Sequence, residues 1–183
     1  MEIETSRLLL RPLRDDDAIA MAQALNNINV SRNLARVQHP YGEADAEDFI
    51  IRQRGFDPRS VICAITFRAA PDELIGMVAY EYGLSEDGVV FGYWLRECCW
   101  HMGLMSEAAA ALVQFAFAEG GVEVLKSGHH TANPNSGRIL RKLGFAETSR
   151  EMSFGLAQGR EVATIRFNLT SDAWAAQQKS RAV

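Results

Sequence analysis

Tyr93–Glu107, YWLRECCWHMGLMSE, sets an apolar strand against a turn at Gly103 and then a helix. A strand that stops just short of a helix leaves the first backbone N–H groups of that helix unpaired and directed into the gap. Together with the helix dipole, those groups favour an anion such as phosphate. Gly103 has no Cβ, so a ligand can approach the backbone, and it tolerates positive φ. No lysine follows it in the GK[ST] order, which excludes a nucleotide P-loop. The same glycine also suits a tight strand-to-helix turn, so this stretch by itself supports the turn and the anion cradle equally.

The rest of the chain narrows the choice. At 183 residues and 48% hydrophobic content it can bury a full core, and one domain over residues 1–183 is expected. Nineteen basic against 23 acidic residues give a net charge of −4, which offers no general attraction to nucleic acid or to an anionic membrane. The N-terminal MEIETSRLLLRPL lacks the basic region and long apolar run of a signal peptide, and no stretch has the length of a membrane span, so a cytoplasmic protein is the default expectation. Cys63, Cys98 and Cys99 are an odd count with two adjacent members, which points to reduced thiols.

In chain order, Arg7–Leu13 reads as a strand closed by Pro12. Asp15, Asp16 and Asp17 open a helix whose apolar side is Ala18, Met21, Ala22 and Leu25, the acids serving as helix-start charge. Residues 26–41 have no clear period and are expected as loop or short helix, a natural substrate wall. Glu43–Arg54 is a second helix. Three strands follow, Val61–Phe67, Glu73–Tyr82 and Val89–Leu95, separated by a turn at Ala70, Pro71 and Asp72 and by Ser85, Glu86, Asp87 and Gly88. Their apolar character on both faces requires helices on both sides of the sheet. Met105–Glu119 is the clearest helix, ended by Gly120 and Gly121, and Val122–His129 then completes a strand–helix–strand unit with parallel pairing.

NPNSGRILRKLGF at Asn133–Phe145 is the second informative stretch. Asn135 or Ser136 can cap a helix that buries Ile139, Leu140 and Leu143, with Gly144 at the left-handed position beyond its end. Phe145–Phe154 and Arg160–Leu169 are expected as two strands around Ala157, Gln158 and Gly159, followed by a terminal helix near Ser171–Lys179.

With this order of elements, the chain resembles the GNAT superfamily of acetyl-CoA-dependent N-acetyltransferases, in particular the branch of ribosomal-protein N-terminal acetyltransferases. The resemblance covers nearly the whole chain. It is carried by TSRLLLRPLRDDDA (Thr5–Ala18), IGMVAY (Ile75–Tyr80), FGYWL (Phe91–Leu95), WHMGLMSEA (Trp100–Ala108) and NPNSGRILRKLGF, which occur in the family's order.

The resemblance implies a mixed α/β fold, with a largely antiparallel central sheet that splays at the strand–helix–strand unit and helices on both faces. It implies acetyl-CoA in that opening; no metal is expected, because the chain's Cys and His residues lack ligand spacing. The pantetheine arm is expected on the backbone of Trp94, Leu95 and Arg96, and the pyrophosphate on Met102, Gly103, Leu104, Met105 and Ser106. Asn133 and Ser136 fall near the thiol end, and Arg138 is a candidate contact to a CoA phosphate or a solvated helix residue. Ser136 and Tyr93 are the candidate catalytic residues: the leaving thiolate is expected to take a proton from Ser136 or a water, and Tyr93 is a substrate contact or a packed strand aromatic. The acceptor is expected to be a primary amine, on a protein N-terminus or a small molecule. A homodimer stands open, as does a catalytically idle acyl-CoA-binding sensor.

Some positions depart from the family pattern. Its commonest phosphate motif begins with Gln or Arg and ends in Gly or Ala, where this chain has Trp100 and Met105. Much of the branch has Gly followed by Gln, Arg or Lys after the tryptophan, and here His101 and Met102 stand there. The acidic tyrosine of other branches is replaced by Leu140, and a glutamate often found two residues before the glycine of GYW by Val90, so no general base or acid is inherited. An α-amine with pKa near 8 needs only about 1 kcal/mol to be neutral at pH 7, against about 4.6 for a lysine, so a weak or water-mediated base suffices for the former. His129 and His130 at a strand end are catalytic candidates or polar strand residues. Cys98, Cys99 and His101 lack metal-ligand spacing.

Overall fold

The computed structural model describes residues 1–85 and 88–181; Glu86 and Asp87, which the sequence placed in a turn, lie outside the described residues. Eight strands form one sheet: β1 (Ile3–Glu4), β2 (Leu8–Pro12), β3 (Val61–Phe67), β4 (Ala70–Glu81), β5 (Val89–Leu95), β6 (Val124–His130), β7 (Ala146–Gly155) and β8 (Arg160–Thr170). The helices are α1 (Asp17–Leu25), α2 (Ile28–Ser31), α3 (Glu43–Gln53), α4 (Leu104–Ala118), α5 (Pro134–Leu143) and α6 (Ser171–Arg181). The strand order is β1-β2-β3-β4-β5-β6-β8-β7. Every pairing is antiparallel except β5 with β6, as required for strands joined through the crossover helix α4.

Successive residues along a strand face opposite sides of the sheet, and here both sides are buried. Cys63, Ile65, Val78, Tyr80 and Phe91 pack with Ala108, Leu112 and Val113 of α4 and with Leu140 of α5. Their neighbours Ile62, Ala64, Ala79 and Trp94 pack with Met21 and Leu25 of α1 and Ile50 of α3. The alanine run of α4 lets that helix lie close on the strands, since Ala108, Ala109 and Ala116 are fully buried. Gly76 has a comparable role between strands: a Cβ there would stand 2.4 Å from the Trp94 carbonyl oxygen, so only glycine lets β4 follow β5 to its end.

Several local expectations are corrected. The β3–β4 turn falls at Arg68–Ala69, not at Ala70–Asp72, because β4 begins at Ala70 and the ladder absorbs register shifts near Thr66. The cap of α5 is Asn133, whose Oδ1 accepts from Ser136 N–H at 3.3 Å, not Asn135 or Ser136; Pro134 then takes the first helical position, where its missing N–H costs nothing. Asp17 is more than helix-start charge. Its carboxylate receives both terminal nitrogens of the buried Arg11 guanidinium, at 2.8 and 2.7 Å, and the Arg14 N–H at 2.8 Å. The pair is almost wholly enclosed, with Arg11 Nε donating to the Pro71 carbonyl at 2.8 Å.

Candidate active site

β5 and β6 are paired only at Val89–Leu125 and Val90–Lys126, and beyond those rungs they diverge. Ser127 Oγ donates to the Phe91 carbonyl at 2.9 Å, a side-chain rung where a ladder bond would otherwise stand. The split opens into a cavity of about 1320 Å³. That exceeds the 300–1,000 Å³ or so of an ordinary small-ligand pocket and leaves room for two reactants.

The register on β4 decides which backbone groups face the split. Arg96 N–H donates to the Ile75 carbonyl at 2.9 Å, and Gly76 lies opposite Leu95 in the same ladder. Because antiparallel bonding alternates, Trp94 shares the orientation of Arg96 toward β4, whereas Tyr93 and Leu95 turn their backbone groups toward the split. The Leu95 carbonyl is taken by Trp100 Nε1–H at 2.9 Å. Of the three residues expected to carry the pantetheine arm, Leu95 therefore offers its backbone and Trp94 lines the cavity wall. Arg96 faces away, its guanidinium 3.4 Å from Glu73.

Gly103 adopts φ 74° and caps α4 without a side-chain hydrogen bond. The N–H groups of Leu104, Met105 and Ser106 thus have no intrahelical acceptor, and all three residues line the cavity with Gly103. Met102 lies outside, half exposed. His101, where much of the branch has glycine, has φ 62°, the left-handed geometry that glycine would adopt freely. The departure changes the side chain and keeps the turn.

A carboxylate that the sequence reading left unassigned fastens this loop. Glu107 Oε1 accepts from Thr5 Oγ1 at 2.6 Å, Ser6 Oγ at 2.9 Å and Arg7 N–H at 2.9 Å, while its Oε2 accepts from Arg7 Nε at 2.7 Å. Arg7 Nη1 reaches on to the Met102 carbonyl at 2.9 Å. The start of TSRLLLR is thereby tied to the first turn of α4, with a guanidinium beside Gly103. Burial works against the charged form of Glu107, but the bonds from Thr5, Arg7 and Ser6 outweigh it and hold the carboxyl down at about 2.

Opposite, on α5, the Tyr93 hydroxyl lies 3.0 Å from Ser136 Oγ and 3.2 Å from the Ser136 carbonyl oxygen. The structure thus brings the two candidate catalytic residues into contact. Burial pushes the Tyr93 phenol well above its usual 10, against the opposing effect of Ser136, so it stays protonated. Ser136 precedes Leu140 by four residues and so shares its face of α5. A hydroxyl therefore reaches that face from β5 although Leu140 brings none. Asn133 and Arg138 also line the cavity, Arg138 hydrogen-bonded to Asn135 Oδ1.

The sequence reading also missed Glu81. It stands directly across the β4–β5 ladder from Val90, so both side chains project from the same face. Where Val90 replaces a glutamate, the neighbouring strand supplies one. Glu81 is 4% exposed, lines the cavity and is ion-paired to Arg36 Nη2 at 2.5 Å. Only the pairing register reveals it. His129 is elsewhere: it stacks on Phe167 at 5.6 Å and lies beneath Gly137, where a Cβ would meet its Nε2 at 2.4 Å. His130 Nδ1 is 3.0 Å from the Arg32 carbonyl, and burial lowers its imidazole below the usual 6.5. Among the described residues no group of three His, Cys, Asp or Glu is placed to hold a metal ion, and no helix is long and apolar enough to cross a membrane.

Residues 7–146 match the family model of the acetyltransferase (GNAT) domain. The uncharacterized N-acetyltransferase YoaA of Bacillus subtilis is 26% identical over 150 residues, 78% of this chain and 81% of the relative. Among solved structures, a GNAT-family acetyltransferase from Bacillus anthracis superposes with a TM-score of 0.80 at 17% identity, covering 94% of this chain and 99% of that one. The ribosomal L7/L12 alpha-N-protein acetyltransferase in complex with coenzyme A gives 0.76 at 17% identity, with the same 94% and 99% coverage. The splayed sheet, the loop before α4 and the family match over most of the chain agree: this protein belongs to the GNAT acetyltransferase family.

Proposed function

We propose that this chain, acting as one domain, transfers the acetyl group of acetyl-CoA to a primary amine by direct attack in a ternary complex. The observation that carries this reading is the single cavity on which the split strand edge at Leu95, the unpaired N–H groups of Leu104–Ser106, the Tyr93–Ser136 pair and Glu81 converge. The fit to acetyl-CoA rests on the same features. Backbone N–H groups at a helix start bind phosphate whatever the side chains, so Met105 in place of a small residue does not remove the cradle. The coenzyme A in the L7/L12 acetyltransferase supports the same occupant here.

In this reading Glu81 takes the proton of the incoming ammonium, directly or through one water, and the Leu95 N–H polarises the thioester carbonyl. The Tyr93–Ser136 pair donates a proton to the departing sulfur, and the second proton that the nitrogen sheds as the amide forms passes through water to restore the pair. Glu81 and Tyr93 fill chemical roles left vacant by Val90 and Leu140, which removes the main support for an idle sensor. An α-amine remains the easier acceptor, needing about 1 kcal/mol to deprotonate at pH 7.

The test is release of free CoA from acetyl-CoA across a panel of amines, for the wild type and Glu81→Gln. A general base contributes about 10²–10⁴-fold, so the variant should lose rate by at least the lower figure at pH 7 and recover part of it as the pH approaches the pKa of the amine. Tight acetyl-CoA binding with no amine turned over by the wild type would overturn acetyl transfer and restore the sensor.

A further inference from the structure

The charged residues that line the cavity are lopsided in sign. Besides Arg138, the cations Arg32, Arg36, Arg52, Lys126 and Arg166 line it, against Glu81 as the one carboxylate among the described lining residues. This is a basic recess in a chain of net charge −4. Most of these cations are engaged: Arg36 with Glu81, Arg52 with the Asp48 carbonyl at 3.2 Å, and Arg166 with Glu151 at 2.7 Å. Lys126 likewise has interactions of its own.

Arg32 differs. Its guanidinium has no hydrogen bond or ion pair with any described residue, yet its backbone is pinned. The Arg32 carbonyl lies 3.0 Å from His130 Nδ1 and accepts from Gln158 Nε2 at 2.7 Å, so the end of β6 and the turn between β7 and β8 both hold it. The preceding helix is fixed as well, because Asn27 Oδ1 caps it through Asn29 N–H at 2.9 Å. Arg32 is exposed, so its guanidinium, carried on a fixed backbone at the edge of the cavity, is accessible to an incoming planar anion, which guanidinium binds in bidentate fashion.

We infer that the acceptor is a primary amine that also carries a carboxylate or phosphate, with Arg32 as the residue that selects for the anion. The amine then lies toward Glu81 and the anion toward Arg32, so the two poles of the acceptor match the two poles of the recess. Polyamines and other polycationic amines are disfavoured, because they would set a second positive charge against Arg32 and its basic neighbours. The amine's destination rests on the acetyl-transfer reading; the anion's does not.

The test is therefore one of binding. Calorimetric titrations of the CoA-loaded protein would use paired probes that differ only in the anion, glycine with glycinamide and O-phosphoethanolamine with ethanolamine, with spermidine as the cationic probe. At least one anionic member should bind roughly 10- to 100-fold more tightly than its neutral partner, the range for a lost charge-assisted contact, and the pair that shows the larger ratio identifies carboxylate or phosphate. Arg32→Gln should abolish that ratio and leave CoA affinity unchanged, while Arg32→Lys retains part of it. Equal binding within both pairs, tighter binding of spermidine, absence of binding by both anionic probes, or an unchanged ratio in Arg32→Gln would each overturn the proposal. Acetyl transfer is read separately from CoA release, so an inactive protein that still prefers the anion refutes only the transferase reading.

Discussion

Replacing Glu107 by glutamine tests whether the N-terminal strand holds the phosphate-side loop in place. The carboxyl is held at about 2 against an ordinary 4.5. A lowering of that size corresponds to about 3 kcal/mol before any screening. The side chains of Arg7 and Glu107 are 46% and 17% exposed, so solvent screening reduces the usable part to about 1–2 kcal/mol. For a chain of this size Glu107→Gln should then lower Tm by roughly 2–8 °C at pH 7. Because the folded-state pKa is depressed, this stability is fully present above pH 4.5, declines as the pH falls below it and is gone near pH 2. Thermal unfolding of wild type and variant at pH 7 and pH 4 should show the gap narrowing at the lower pH. The gap should be accompanied by weaker acetyl-CoA binding at pH 7, since Arg7 no longer steadies the Met102 carbonyl. A gap of the same size at both pH values would refute the electrostatic account of the clasp.

Tyr93→Phe and Ser136→Ala should each lower kcat by about 10²-fold with little change in KM for acetyl-CoA, as expected for a lost proton donor; full activity of either variant removes that residue from the step. His101→Gly should raise stability by about 1 kcal/mol, measured by chemical denaturation, because glycine carries no penalty at φ 62°. Arg11→Ala should cost about 3–5 kcal/mol, since Asp17 is left buried and uncompensated, and a loss under 1 kcal/mol would show that water reaches the carboxylate.

The sequence was most informative where a short window carries the signal. Helical spacing of apolar residues located α4 and α1 to within two residues at either end, and the glycines at 103 and 144 marked left-handed turns, with φ of 74° and 95°. The same local logic failed at the β3–β4 turn and at the α5 cap. In both places several turn-forming residues are adjacent, and pairing register or a single side-chain bond decides between them.

The chain alone therefore determined the order of elements, the family resemblance and the glycine turn ahead of α4, because periodicity and backbone propensity are properties of neighbouring residues. Tertiary structure decided which groups do chemistry together. Glu107 meets Thr5 across 102 positions and Tyr93 meets Ser136 across 43. Glu81 stands in for Val90 only because β4 and β5 pair in that register. Each of these contacts depends on how distant strands and helices align, and a one-residue slip would turn Glu81 to the other face of the sheet.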